Sequence, residues 1–130
     1  MEKKKKLLRN ENGFTLLEII AILILLAALA AAVIPKYFDL QEEARQKSAE
    51  GAIAEMKVRL INEYGEYLLE NNGNKPSTAS VISDEVSTDL GEDYTVALSA
   101  SDMVVTITVS AVEGVALTSN VRDTWVVPGI

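Results

Sequence analysis

From Phe14 to Ile34 the chain reads FTLLEIIAILILLAALAAAVI, twenty-one residues that are apolar except for Thr15 and Glu18. At about 1.5 Å per residue, a helix of that length crosses a hydrocarbon layer of about 30 Å. Glu18 is the fifth residue of the run. A charged side chain deep in a spanning helix costs roughly 2.5 to 3.5 kcal/mol on insertion scales, so its presence needs a reason.

Residues on either side of the run set its direction. Residues 1–13 hold Lys3, Lys4, Lys5, Lys6 and Arg9 against Glu2 and Glu11, a net +3, and the rest of the chain carries −10 of the total −7. A basic flank stays on the cytoplasmic side, which predicts N-terminus in and everything after Ile34 across the membrane. A secretory signal also begins basic and turns apolar, but its apolar core is about 7 to 15 residues. A plain membrane anchor fits the length. Both readings leave Glu18 unexplained.

With no cysteine and no histidine, the chain lacks thiolate nucleophiles, imidazole bases, disulfides and the usual zinc ligands. An enzyme has no residues to stand on. At −10 beyond the leader, nucleic-acid binding through net charge is unfavourable.

The segment Gly13-Phe14-Thr15-Leu16-Leu17-Glu18 resembles the processing site of type IV prepilins and of the pseudopilins of type II secretion. The basic leader, the apolar run and Pro35 at its end also fall where that family has them. The resemblance implies that a prepilin peptidase cuts after Gly13 and N-methylates Phe14. It implies too that Glu18 of one subunit pairs with the Phe14 amine of a neighbour. A buried carboxylate paired with a cation recovers much of its desolvation cost, so Glu18 is expected to set register between subunits. The stretch PKYFDLQEEARQKSAEGAIAEM resembles, more loosely, the start of mannose-sensitive haemagglutinin-type pilins. Two departures stand out. Many pilins close the C-terminal region with a disulfide, which this chain lacks. Many also carry a glycine that loosens the apolar helix during assembly. Here residues 27–32 are Ala-rich without glycine, leaving Pro35 to weaken that turn.

Beyond the span, Tyr37, Leu40, Ala44, Ala52, Ile53, Met56, Leu60, Tyr64, Tyr67 and Leu68 recur mostly at three- and four-residue steps, the mark of an apolar helix face. One long helix with a kink at Pro35 is predicted from Phe14 to Asn71, stopped by Asn71-Asn72-Gly73-Asn74 and Pro76. Gly51 and Gly65, each costing about 1 kcal/mol against alanine, mark either close packing on a sheet or bending. Ile82, Val86 and Leu90 hint at one short helix. The period then changes to two: YTVALS and MVVTITVS read as strands, with a hairpin turn over Ser99-Ala100-Ser101-Asp102. GVALTS and TWVV are expected to add two further strands, separated by turns near Glu113-Gly114 and residues 120–123.

The predicted fold is α+β: a long kinked N-terminal helix packed on a C-terminal antiparallel sheet of three or four strands. The expected parts are a leader (1–13), an apolar transmembrane and filament-core helix (14–35), the amphipathic helix of the head (36–72), a connection (73–93), and the sheet with the C-terminal segment (94–130). Asp84, Glu85, Asp89, Glu92, Asp93 and Asp102 offer oxygen ligands for calcium, but their spacing matches no EF-hand loop, and a solvated acidic loop is the simpler reading. No other cofactor is expected. Trp125 is assigned to the core rather than to sugar binding, and the scattered aromatics do not make an electron path.

These features predict a structural subunit of a type IV pilus or pilus-like filament, inserted in the inner membrane with its head outside the cytoplasm. The resemblance implies that it assembles with copies of itself, exchanging lipid contacts for helix contacts, after prepilin peptidase processing and through an assembly machinery. The resemblance makes Phe14, Glu18 and Pro35 the expected assembly residues. The alternatives are a type II secretion pseudopilin and, from another class, a bitopic anchor that presents a binding head without polymerising. Roles in adhesion, motility or secretion fall within the family's range.

Overall fold

Helix α1 runs from Leu16 to Glu70 and carries Pro35 inside it. The computed structural model describes residue 13 and residues 15–129; Phe14 and the basic leader residues lie outside the described residues. After α1 come a one-turn helix α2 (Ser80–Ser83) and three strands, β1 (Tyr94–Ser101), β2 (Val104–Val112) and β3 (Val115–Val126). The strands form an antiparallel meander in the order β1-β2-β3. By its internal contacts the chain divides into two units, residues 1–39 and 40–130.

In the first unit, every described residue is exposed, including Leu16 to Ile34 on all sides of the helix. No face of this helix is polar, so its apolar surface calls for lipid or another apolar partner.

In the second unit, α1 buries Ala49, Ala52, Ile53, Met56, Leu60 and Tyr64 at helical steps, with Tyr67 and Leu68 half-buried beyond them. The opposing surface is the inner face of the sheet. Val105, Ile107 and Val109 of β2 are fully buried, and β1 places Ala100, Leu98 and Val96 directly across from them. Residues paired across an antiparallel ladder share a face, so this register joins the two apolar alternations into one surface. Ala79 and Ile82 close one side of the core, and Leu117, Trp125 and Val127 complete it.

Helix α1 ends as predicted. Asn72 and Gly73 adopt positive φ (56° and 81°), and the Gly73 amide donates to the Leu68 carbonyl at 2.7 Å, satisfying a carbonyl that has no partner within the helix.

Tyr37, Leu40 and Ala44 do not belong to the core face and are exposed. At about 100° per residue they fall on the opposite side of the helix from Ala49, Met56 and Leu60. The line they begin continues through Gly51, Ala54, Val58, Ile61 and Leu69, with Val58, Ile61 and Leu69 exposed by 51, 52 and 84%. A Cβ added at Gly51 or Gly65 meets nothing within 4 Å, so neither glycine marks close packing within the subunit. The suggested short helix reaches only Ser83; Val86 and Leu90 pack against the core from irregular backbone.

Two expectations for the sheet are corrected. The first turn lies at Asp102-Met103, because Ser99 to Ser101 remain paired with β2. The segments expected as separate strands are one strand, β3. Four of its residues, 117–120, bulge out opposite the single Ser110 between the pairs Val109–Val121 and Ala111–Ala116. Leu117 is buried within that bulge, so the irregularity supplies a core side chain.

The second turn is strained in one place. Glu113 and Gly114 both take positive φ (54° and 72°), the pattern of a type I′ turn, in which asparagine is far more comfortable than glutamate. Glu113→Asn is expected to raise the urea midpoint of the head, by about 0.5 to 1 kcal/mol in stability, with the denaturant slope unchanged.

Candidate functional site at the start of the long helix

Glu18 is bonded within its own first turn. Its Oε2 accepts the Thr15 backbone N–H at 2.7 Å and the Thr15 hydroxyl at 3.2 Å, while the Glu18 N–H donates to Thr15 Oγ1 at 3.3 Å. This reciprocal arrangement is a capping box, which satisfies amides that have no partner within the helix and places a negative charge at its positive end. The signal for it was present in the sequence as Thr-x-x-Glu before an apolar run. Reading the glutamate only as a residue awaiting a neighbour missed it.

Gly13, next to the expected cut, is exposed at φ 62° with no heavy atom within 4 Å of an added Cβ. A glycine adopts this left-handed conformation at no steric cost. Phe14 lies outside the described residues. Pro35 sits 17 residues beyond Glu18 in the same helix and has no N–H to offer the Ala31 carbonyl. Leu16 to Glu70 contains one stretch long and apolar enough to cross a membrane.

The second unit presents two charged features. Lys57 Nζ reaches Asp123 Oδ2 at 2.5 Å, tying α1 to β3. That hydrogen bond, helped by the Thr124 amide, holds the Asp123 carboxyl below its ordinary value, so this pair's contribution is lost as pH falls through that lowered range.

Further along α1, Glu63 and Glu66 face Glu85 across a cavity of about 220 Å³ also lined by Arg59, Asn62, Val86 and Ser87. Burial, and then the charges of Glu66, Glu85 and Glu70, push the Glu63 carboxyl above its ordinary 4.5. A raised carboxyl favours the fold increasingly as pH falls through the folded value towards the unfolded one. Glu63→Gln is therefore expected to stabilise the head at about pH 7 by roughly 0.2 to 0.5 kcal/mol. The difference should close near pH 4, as read from urea midpoints at both.

Among the described residues, no group of three or more carboxylates converges as a cation would require, and Asp89 Oδ1 is already engaged by the Gly91 amide at 2.9 Å. Trp125 lies in the core, 7% exposed and edge-on to Tyr64, so it is unavailable for stacking on a ligand.

Part of the chain is 38% identical over 64 residues to the type II secretion system core protein G of Aeromonas hydrophila. The match covers 49% of this chain and 42% of that protein, so the chain aligns with less than half of its relative's length. No family model matches the sequence, and no solved structure matches the fold.

Proposed function

We propose that the chain is a member of the type IV pilin and pseudopilin superfamily and, within it, a pseudopilin of a type II secretion system, a structural subunit and not an enzyme. The observation that carries this reading is the likeness to a type II secretion core protein, which favours a secretion filament over the surface pilus put first by the sequence motif.

In this reading residues 1–13 form a leader that keeps the N-terminus cytoplasmic. A prepilin peptidase removes it after Gly13 and methylates Phe14. The subunit then waits in the inner membrane through its apolar helix, with the head in the periplasm. Extraction into a filament replaces lipid around Leu16 to Ile34 with the same segments of other copies. Glu18 exchanges part of its capping bond for the Phe14 amine of a neighbour. Pro35 gives the helix a weakened turn where the apolar segment meets the head.

Intact mass of the chain from its native cells tests this, in filaments sheared from the surface and in washed membranes. A species beginning at methylated Phe14 and confined to the membrane fraction is expected. The same species in abundant sheared filaments would make the protein a surface pilin. An uncut chain beginning at Met1 would overturn the processing and favour an anchor with a binding head.

A further inference from the structure

Among the described residues, Tyr37 and Phe38 are the exposed aromatics, at 59 and 61%; Tyr64 and Trp125 are buried in the second unit, and Tyr67 and Tyr94 are half-buried there. Their place in the chain is particular. Residues 19–34 carry aliphatic side chains only, and then come Pro35, Lys36, the aromatic pair and Asp39. The two rings stand 6.4 Å apart, edge to face at 68°. Consecutive helical side chains point about 100° apart, so the pair spreads over a wide arc that a surrounding layer covers more completely than one packed helix. Amphipathic aromatic rings collect at the headgroup level of a bilayer, and a lysine beside them reaches water with its long stem.

The length of the uncharged segment points to the same layer. Between Glu18 and Lys36, residues 19–35 make 17 residues without a charge. That is about 26 Å of helix, against a hydrocarbon layer of about 30 Å, or about 27 Å in thinner membranes. The segment has no length to spare. A shift of one turn towards the C-terminal side draws Glu18 into hydrocarbon, and a shift the other way draws in Lys36 with the tyrosine hydroxyl. One depth avoids both. At that depth Glu18, whose Oε2 is bonded to the Thr15 amide, lies at one boundary of the layer, and Tyr37 and Phe38 lie at the other.

We propose that Tyr37 and Phe38, with Lys36, form an interfacial anchor that sits among lipid headgroups at the C-terminal end of the span and fixes how deep the helix lies. The inference rests on the membrane reading above. It assigns the pair a partner, a bilayer surface, that residues 19–34 do not share, since these face the acyl chains.

The test uses the full chain in nanodiscs of dimyristoyl- or dioleoylphosphatidylcholine, a thinner and a thicker bilayer. Since the chain has no cysteine, single cysteines placed in turn at residues 27–34 and 39–44 carry a spin label. Its accessibility to oxygen, compared with a water-soluble nickel chelate, reports depth. The crossover from oxygen to nickel is expected between Ile34 and Asp39 in both lipids. Tyr37→Ala combined with Phe38→Ala is expected to release that end, so that the crossover moves by about one helical turn between the two lipids and leaves that interval in one of them. The urea midpoint of the head should not change, because neither ring is buried, and this separates lost anchoring from misfolding. A parent crossover outside the interval, or one held equally fast in the alanine variant, would overturn the anchor and leave the span standing. If labels at residues 27–34 are no more accessible to oxygen than those at 39–44, the membrane reading itself falls and the anchor with it.

Discussion

Trp125→Ala is expected to remove a large part of the stability of the head. The indole is 7% exposed and lies across from Val105 on the ladder, with its ring 6.1 Å from that of Tyr64 at an interplanar angle of 69°. Truncating a buried tryptophan costs about 3 to 5 kcal/mol, against a total of about 5 to 15 for an ordinary domain. The loss extends beyond the cavity itself. Tyr64 donates its hydroxyl to the Pro128 carbonyl at 2.9 Å, the Val127 amide donates to the Met103 carbonyl at 2.9 Å, and Lys75 Nζ holds the Gly129 carbonyl. These contacts hold the C-terminal segment in a chain that has no disulfide to do so. Without Trp125 both Tyr64 and Val127 lose a neighbour. Urea unfolding of the full chain in detergent, followed by far-ultraviolet circular dichroism, should show a midpoint lowered by the equivalent of about 3 to 5 kcal/mol at an unchanged slope. A fall of less than about 1 kcal/mol would mean that the indole is peripheral to the core.

Glu18→Ala is expected to leave cleavage after Gly13 largely intact and to reduce filaments to a trace. The capping box gives that experiment a necessary control. Alanine removes both the charge and the acceptor for the Thr15 N–H, and loss of a cap alone costs about 0.5 to 2 kcal/mol. Glutamine retains the reciprocal cap, since it serves at this position of a capping box, but it carries no charge for a terminal amine. If Glu18→Gln fails to assemble as completely as Glu18→Ala, the charge matters between subunits. If Glu18→Gln assembles like the parent chain while Glu18→Ala does not, the residue acts through helix capping. Counting filaments from equal amounts of processed subunit separates the two.

Most of the architecture was legible because its signals are local and repeated. The helix expected from Phe14 to Asn71 runs from Leu16 to Glu70, and its stop at Asn72-Gly73 follows from two residues that tolerate positive φ. The inner face of β2 was readable from strict alternation of Val105, Ile107 and Val109. What was misread depends on partners distant in sequence. Tyr37, Leu40 and Ala44 keep helical spacing, but spacing alone does not say which side meets a sheet. Ala49, fully buried in a charged stretch, is a small residue whose role depends on what lies opposite. Residues 120–123 suggested a chain reversal, whereas Val121, Arg122 and Asp123 pair with β2 and only Asn120 belongs to the bulge over 117–120. At the N-terminal site the motif was recognised, yet the bond from Glu18 to its own first turn was overlooked because the neighbour offered a sufficient explanation. Arg45, whose Nε is buried without a hydrogen-bond partner among the described residues, has no signature in the sequence, since its surroundings arise only where α1 meets the β2–β3 turn.

The buried stripe of α1 also decides how the head bears load. Ala49, Ala52, Ile53, Met56, Leu60 and Tyr64 extend over 16 residues, about 22 Å of helix, against one sheet face. Tension along α1 loads these contacts together, in shear, and Lys57–Asp123 resists the same displacement. Sliding the helix out requires all of them to yield at once, whereas force across the sheet would open the meander one ladder at a time. The second unit is therefore strongest along the helix axis and weakest across it, a mechanical anisotropy set by one buried stripe of side chains.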